Sequence, residues 1–208
     1  MKKQIVLATR NKGKIAEFER LLSEFVSDVK VLGIADFPDM PDVEETGSTL
    51  IENALLKSRQ ICDFTGLPSL ADDSGLFVDA LGGDPGIYSA RWAGEHGNDR
   101  ANTEKVLAQL ANLERSSPIT RSASFKCAIA VTFPKSHLQA GRELIEEGVM
   151  SGEVIREPRG DGGFGYDPIF LPAGLSLTSA EISAALKDEL SHRGKAMRAI
   201  APVLAQLL

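Results

Sequence analysis

The apolar positions change period several times along the chain, and each change marks an element. Ile5-Val6-Leu7-Ala8 is an unbroken apolar run, which predicts a strand buried on both faces. After the polar stretch Thr9-Arg10-Asn11-Lys12-Gly13-Lys14, the apolar residues Ile15, Phe18, Leu21, Leu22 and Phe25 fall at helical spacing. Val29–Leu32 predicts a second, short strand, and residues 33–47 a loop rich in proline and acid. Thr49 and Glu52 then form a capping box that opens a helix running to about Thr65, where Gly66-Leu67-Pro68 ends it. Asn53 and Lys57, four residues apart, share one face of that helix.

Two apolar, strand-like runs follow, Ser69–Ala71 and Leu76–Val78, separated by Asp72-Asp73-Ser74-Gly75. Leu81–Trp92 is a long turn-rich loop. Asn98 or Asp99 caps a helix through about Ala111, and residues 112–121 read as a polar loop. Ala123–Phe133 and Arg142–Ile155 predict two strands joined by a hairpin loop at Pro134–Gly141. Thr178 and Glu181 make a second capping box, expected to open a short helix through Lys187. Ser191 can cap a C-terminal helix whose apolar face carries Met197, Ile200, Leu204 and Leu207, with a kink expected at Pro202. Strand and helix alternate first, and a hairpin comes later, so the fold class is α/β.

The chain has 208 residues, enough for one domain or two small lobes. Its net charge of −6 argues against broad nucleic-acid or membrane-surface binding, which needs a basic excess. No stretch approaches a transmembrane span, and the apolar run near Met1 is too short for a signal peptide, so a cytoplasmic protein is expected. Cys62 and Cys127 lie in apolar segments with no CxxC or Cys/His neighbourhood. They read as buried thiols, with an oxidised pair as the alternative, and structural zinc is not expected.

Within this frame five stretches carry candidate chemistry. Thr9–Lys14 joins a strand to a helix start, where free N–H groups and the helix dipole favour an anion; a plain solvated cap would use the same residues. Neither GxxxxGK[ST] nor GxGxxG is present. The acidic loop brings Glu44 and Glu45, either of which can reach a divalent metal. Asp72-Asp73 is an oxygen-rich site suited to Mg²⁺, or alternatively an Asx turn at a hairpin. Gly162-Gly163-Phe164-Gly165-Tyr166-Asp167-Pro168 sets flat aromatic faces among glycines that let backbone approach a ligand. His192-Arg193 at the last helix start adds an anion clamp. Tyr88, Arg91 and Trp92 could form a partner surface or cover a core edge. Basic anchors, an acid pair and a stacking platform are together the parts of a nucleoside triphosphate site.

Five blocks in this order resemble the Ham1 family of inosine/xanthosine triphosphate pyrophosphatases. They are Thr9–Lys14, Glu44-Glu45-Thr46-Gly47, Ala71–Gly75, Phe164–Pro168 and Ser191-His192-Arg193-Gly194. The likeness covers nearly the whole chain, and Arg10 departs from it by standing where many relatives carry a small residue. It implies one domain over residues 1–208, with an elongated, mixed, twisted sheet flanked by helices and two lobes around a central cleft. It implies hydrolysis of ITP, dITP and XTP to the monophosphate and pyrophosphate, with Mg²⁺, by a homodimer. Thr9, Arg10, Asn11, Lys12, Gly13 and Lys14 would hold the triphosphate, assisted by Lys57. Asp73 would be metal ligand and proton acceptor, and Glu44 or Glu45 would complete the metal site. Ser74, Phe164, Gly165, Tyr166, Asp167, Lys187, His192 and Arg193 would line the nucleotide pocket, with Phe164 stacked on the base. Two other functions fit the same residues: a pyrophosphatase for modified pyrimidine triphosphates, and a nucleotide-binding protein without catalysis.

Overall fold

The computed structural model describes residues 3–26 and 29–208, and the Lys12 side chain, one of the expected phosphate anchors, lies outside the described set. Among the described residues six strands form one sheet in the order β2-β1-β3-β4-β5-β6. They are β1 (Lys3–Leu7), β2 (Val29–Gly33), β3 (Ser69–Val78), β4 (Ser122–Thr132), β5 (Glu143–Val154) and β6 (Phe170–Pro172). β1 runs parallel to β2 and to β3, whereas β5 and β6 are antiparallel, so the sheet is mixed. Among the described residues five α-helices accompany it: α1 (Lys12–Ser23), α2 (Leu50–Thr65), α3 (Asp99–Ser116), α4 (Ala184–Leu190) and α5 (His192–Leu207). Among the described residues, no helix is long and apolar enough to cross a membrane.

The chain forms two compact units, the first made of residues up to Asp73, Cys127–Gly148 and Arg193–Leu208, the second of Ser74–Lys126 and Val149–His192. In the first unit the period-two alternation of β1 sorts its residues between two apolar layers. Ile5 and Leu7 pack with Phe18, Leu21 and Leu22 of α1 and with Met197, Ile200 and Leu204 of α5. Val6 and Ala8 lie in a separate cluster with Ile61 of α2 and Ala71 of β3. Both faces of β1 are therefore buried, which is why its sequence reads as an unbroken apolar run. The second unit has its own core, built from Leu76, Val78, Val106, Leu110, Phe125, Met150, Ile169 and Phe170.

The caps follow the expected chemistry, with three departures. Thr49 Oγ1 accepts the Glu52 N–H at 3.1 Å, and Glu52 in return accepts from the Ser48 N–H at 2.7 Å. α3 continues to Ser116, five residues past the expected end. The Thr178/Glu181 pair closes a turn rather than opening a helix: Glu181 accepts from the Thr178 N–H, and the Thr178 hydroxyl is committed to the Arg159 carbonyl. Ser183 caps α4 instead, accepting the Leu186 N–H at 3.2 Å. Asp72 and Asp73 do not sit in a hairpin turn, since β3 runs unbroken from Ser69 through both acids to Val78. Cys62 and Cys127 are buried and not joined by a disulfide, and burial, with Asp63 nearby, pushes the Cys62 thiol up to about 11.

Candidate active site

A strand sends successive side chains to opposite faces, and β3 does this to its two acids. Leu70 shares a layer with α1 and α5, whereas Ala71 shares one with α2. Asp72 therefore points where Leu70 does, and Asp73 where Ala71 does. The partners confirm the register. Asp72 accepts both oxygens' worth of Lys14 Nζ from α1, at 2.9 and 3.1 Å, and its Oδ2 also takes Arg193 Nε and Nη2 from the start of α5, at 3.2 and 3.1 Å. Asp73 takes its partners from α2: Asn53 Nδ2 donates to Oδ2 at 3.0 Å and Lys57 Nζ to Oδ1 at 3.4 Å.

Asp72 is 2% exposed, and a carboxylate so buried needs matched charge. Burial alone would raise its pKa; Lys14, Arg193 and Lys57 overcome that and hold the carboxyl well below the usual carboxylate range. Arg193, also 2% exposed, completes the group through Nη1 to Glu17 Oε2 at 2.7 Å, with its guanidinium over the Phe18 ring. Glu17 carries no role in the sequence reading. Its signal was an acid on the same helical face as Leu21, four residues on, a face that packs into the core.

On the other face, Lys57 bridges Asp73 to Glu45 Oε1, the latter at 2.7 Å. Burial works against the Lys57 charge, but Asp73, Glu45 and Asp72 outweigh it and keep the ammonium protonated. The Asp73 carboxyl is raised above its ordinary range, by burial first and by Glu45 as well, against the pull of Lys57. Glu44 is exposed, while Glu45 is half-buried and turned toward this pair. The donor set suits a hard cation held by two carboxylates. Among the described residues no group of three or more His, Cys, Asp or Glu gathers as a complete cage, so such an ion would draw further oxygens from substrate.

The N-terminal loop is organised by its own caps. Asn11 Oδ1 accepts the Lys14 N–H at 3.1 Å, and Thr9 Oγ1 accepts the Asn11 N–H at 3.1 Å. Gly13 is exposed, and Arg10 is solvent-facing in an exposed pair with Asp42.

In the second unit the aromatic loop is tied down at Phe164, Gly165, Tyr166 and Asp167. Asp167, 3% exposed, accepts the Phe164 N–H at 2.8 Å through Oδ2 and pairs there with Lys187 of α4. Lys187 Nζ also sits 4.7 Å from the centre of the Phe164 ring. The Gly165 N–H donates to Asp99 at the start of α3, and the buried Tyr166 hydroxyl donates to the Ser89 carbonyl, both within 2.8 Å. Tyr166 and Asp167 thus spend their polar groups shaping the loop, which leaves the Phe164 ring and the Gly165 backbone as its partly exposed surface. His192 stacks on Phe125 with centroids 4.9 Å apart, and Ser74 is half-buried. Of the residues considered for a partner surface, Tyr88 is exposed beneath Arg91, whereas Trp92 packs on the core and donates to Gln109.

Gly163 has φ +72°, and a β-carbon there would collide with the Asp167 carboxylate. Gly163→Ala should therefore cost about 1–3 kcal/mol of stability. The urea midpoint reads this directly, and an unmoved midpoint would contradict the close approach.

A mixed α/β sheet whose central strand carries two buried acids, each gripped by lysine or arginine, defines a protein that handles concentrated charge at a strand face. The particular lineage follows from its likeness to known proteins: the chain belongs to the Ham1 family, whose model matches residues 5–203. It is 48% identical to a dITP/XTP pyrophosphatase of Streptomyces avermitilis, over 99% of this chain and 98% of the relative. It is 46% identical to a dITP/XTP pyrophosphatase of Corynebacterium efficiens, with 98% of each chain covered. The structure of a HAM1 protein from Coxiella burnetii superposes with a TM-score of 0.84 at 43% identity, over 98% of this chain and 99% of that one. The nucleoside-triphosphatase / dITP/XTP pyrophosphatase of Mycobacterium abscessus gives 0.72 at 46% identity, over 97% and 99%.

Proposed function

We propose that this chain hydrolyses non-canonical purine nucleoside triphosphates, dITP, ITP and XTP, to the monophosphate and pyrophosphate. The observation that carries the reading is Asp73, buried in the family's acid pair and held in one orientation by Asn53 and Lys57. Water attacks the α-phosphorus, its proton passes to an Asp73 oxygen, and the bond to the bridging oxygen breaks as pyrophosphate leaves. Asp73 and Glu45 would hold Mg²⁺ together with the substrate phosphates, and the ion would supply charge neutralisation there. Glu45 is preferred to Glu44 because it alone of the two is joined to Asp73 through Lys57.

The loop Thr9–Lys14 and Lys57 hold the triphosphate, with Lys14 the principal anchor and the Asn11-capped helix start offering N–H groups. Phe164 stacks on the base, and Gly165, Ser74, Lys187 and His192 complete the nucleotide's surroundings, while Tyr166 and Asp167 act by shaping the loop and Arg193 by holding Asp72. A donor to the purine 6-oxo group selects against adenine, whose amino group would leave that donor unpaired at ~1–3 kcal/mol. Guanine shares the 6-oxo group and needs a second check at position 2. A homodimer, a cytoplasmic setting and a single functional domain over residues 1–208 belong to the same reading.

The test is a panel of ITP, XTP, dITP, GTP and ATP, with Mg²⁺ and with chelator, reading pyrophosphate against orthophosphate. Pyrophosphate from the first three, abolished by chelator, is the expected result. Orthophosphate as first product would place cleavage at the γ position and overturn it.

A further inference from the structure

We propose that Asn53 is a positioning residue that locks Asp73 and the Glu45–Gly47 loop into a single arrangement. The proposal rests on the role of Asp73 given above. Asn53 is fully buried on α2, one turn before Lys57. Its amide uses both ends. Oδ1 accepts the Gly47 N–H at 2.8 Å, and Nδ2 donates to Asp73 Oδ2 at 3.0 Å. A backbone N–H can only donate, so the Gly47 bond fixes which end of the amide is oxygen. The NH₂ end is thereby turned to the carboxylate, which can only accept while ionised. The orientation is unique and needs no other restraint.

The neighbouring geometry leaves little room for another arrangement. A β-carbon on Gly47 would lie 2.7 Å from Asn53 Oδ1 and 2.7 Å from Glu52 Cβ, so the loop can approach the amide this closely only at glycine. Two residues earlier, Glu45 reaches Lys57. The i and i+4 positions of α2 therefore divide the work: the amide holds one Asp73 oxygen and the loop backbone, and the ammonium holds the other oxygen and the loop carboxylate. Asn53 is fully buried. Its effect passes through Asp73 and Gly47.

Three substitutions separate this role from plain packing. Asn53→Asp keeps the size and the acceptor for the Gly47 N–H but replaces the donor with a second carboxylate facing Asp73. Asn53→Ala removes both bonds. Each is also made in an Asp73→Asn background, and kcat and KM for dITP are measured with the melting temperature. With Asp73 present, both Asn53 variants are expected to lose at least ~30-fold in kcat while KM moves less than ~3-fold. In the Asp73→Asn background the same changes should add less than ~3-fold, because the group they position is gone. Hydrogen exchange at the Gly47 amide gives a readout independent of turnover: at least ~10-fold faster in Asn53→Ala and close to wild type in Asn53→Asp. Wild-type kcat in either folded variant, losses that multiply with Asp73→Asn, or unchanged Gly47 exchange in Asn53→Ala would each overturn the inference. Wild-type turnover of Asp73→Asn alone would overturn the role of Asp73, and this inference with it.

Discussion

Asp73→Asn is expected to leave the fold intact and to cut turnover by at least ~100-fold, the usual cost of losing a general base or metal ligand. The fold should survive because the substitution preserves volume and removes a charge from a buried position. Lys57 is not stranded by the change, since Glu45 still holds it at 2.7 Å. The amide oxygen at position 73 can accept from Asn53 or Lys57, so the α2 layer keeps a polar partner there. What disappears is an ionised oxygen able to take a proton. Steady-state kinetics with dITP, read beside the melting temperature, checks both halves. Turnover near wild type would remove Asp73 from the chemistry.

Its neighbour should behave in the opposite way. Asp72→Ala is expected to destabilise the protein by about 3–5 kcal/mol, because removing one member of a buried ionic group leaves an uncompensated charge. Arg193 is 2% exposed and would lose both Asp72 contacts, which the single engaged oxygen of Glu17 cannot replace. Lys14 is the more exposed partner and can turn to water, so the guanidinium carries most of the loss. Urea unfolding measures it, and a change below about 1 kcal/mol would show that Asp72 is dispensable to the core. The pH dependence follows from the sign of the shift. Asp72 is held well below the ordinary carboxylate range, so its contribution is complete above the unfolded-chain value near ~3.9 and is lost only as pH falls further, through the depressed folded value. The difference between wild type and Asp72→Ala should accordingly stay flat from about pH 8 to pH 5.

The contrast between adjacent residues explains how much of the site was legible in the chain. The strand β1, the stripe of α1, the Thr49 cap of α2 and the long strands β4 and β5 announce themselves through periodicity and capping chemistry, which are local. Asp72 and Asp73 do not. Two acids followed by Ser-Gly suggest a turn by local preference, and only the cations brought by α1, α2 and α5 allow the strand to run through them. Those partners lie as far as 121 residues away in sequence. Glu17 and Asn53 were hard to rank for the same reason, as each looks like an ordinary helical polar residue until the opposite layer is present. The second capping box misled because Thr178 spends its hydroxyl on Arg159, a contact with no sequence signature. The aromatic loop was recognised as a block. That Asp167 binds the Phe164 N–H and Lys187 depends on a left-handed turn at Gly163 and on α4 arriving beside it.

Asp72 is hydrogen-bonded by the Arg193 guanidinium as well as by Lys14, and this bears on how readily Lys14 can change hands. An ammonium that is the sole counterion of a buried carboxylate is expensive to withdraw, since the anion it leaves must be reprotonated or solvated. Here the Arg193 guanidinium stays on the same Oδ2 atom whether or not Lys14 remains. A polyanion that draws Lys14 outward therefore leaves behind a carboxylate that is still neutralised, and departure of that polyanion returns Lys14 to a seat kept open for it. If Lys14 holds the triphosphate as proposed, the spare counterion would let it capture and release while the interior stays electrically balanced.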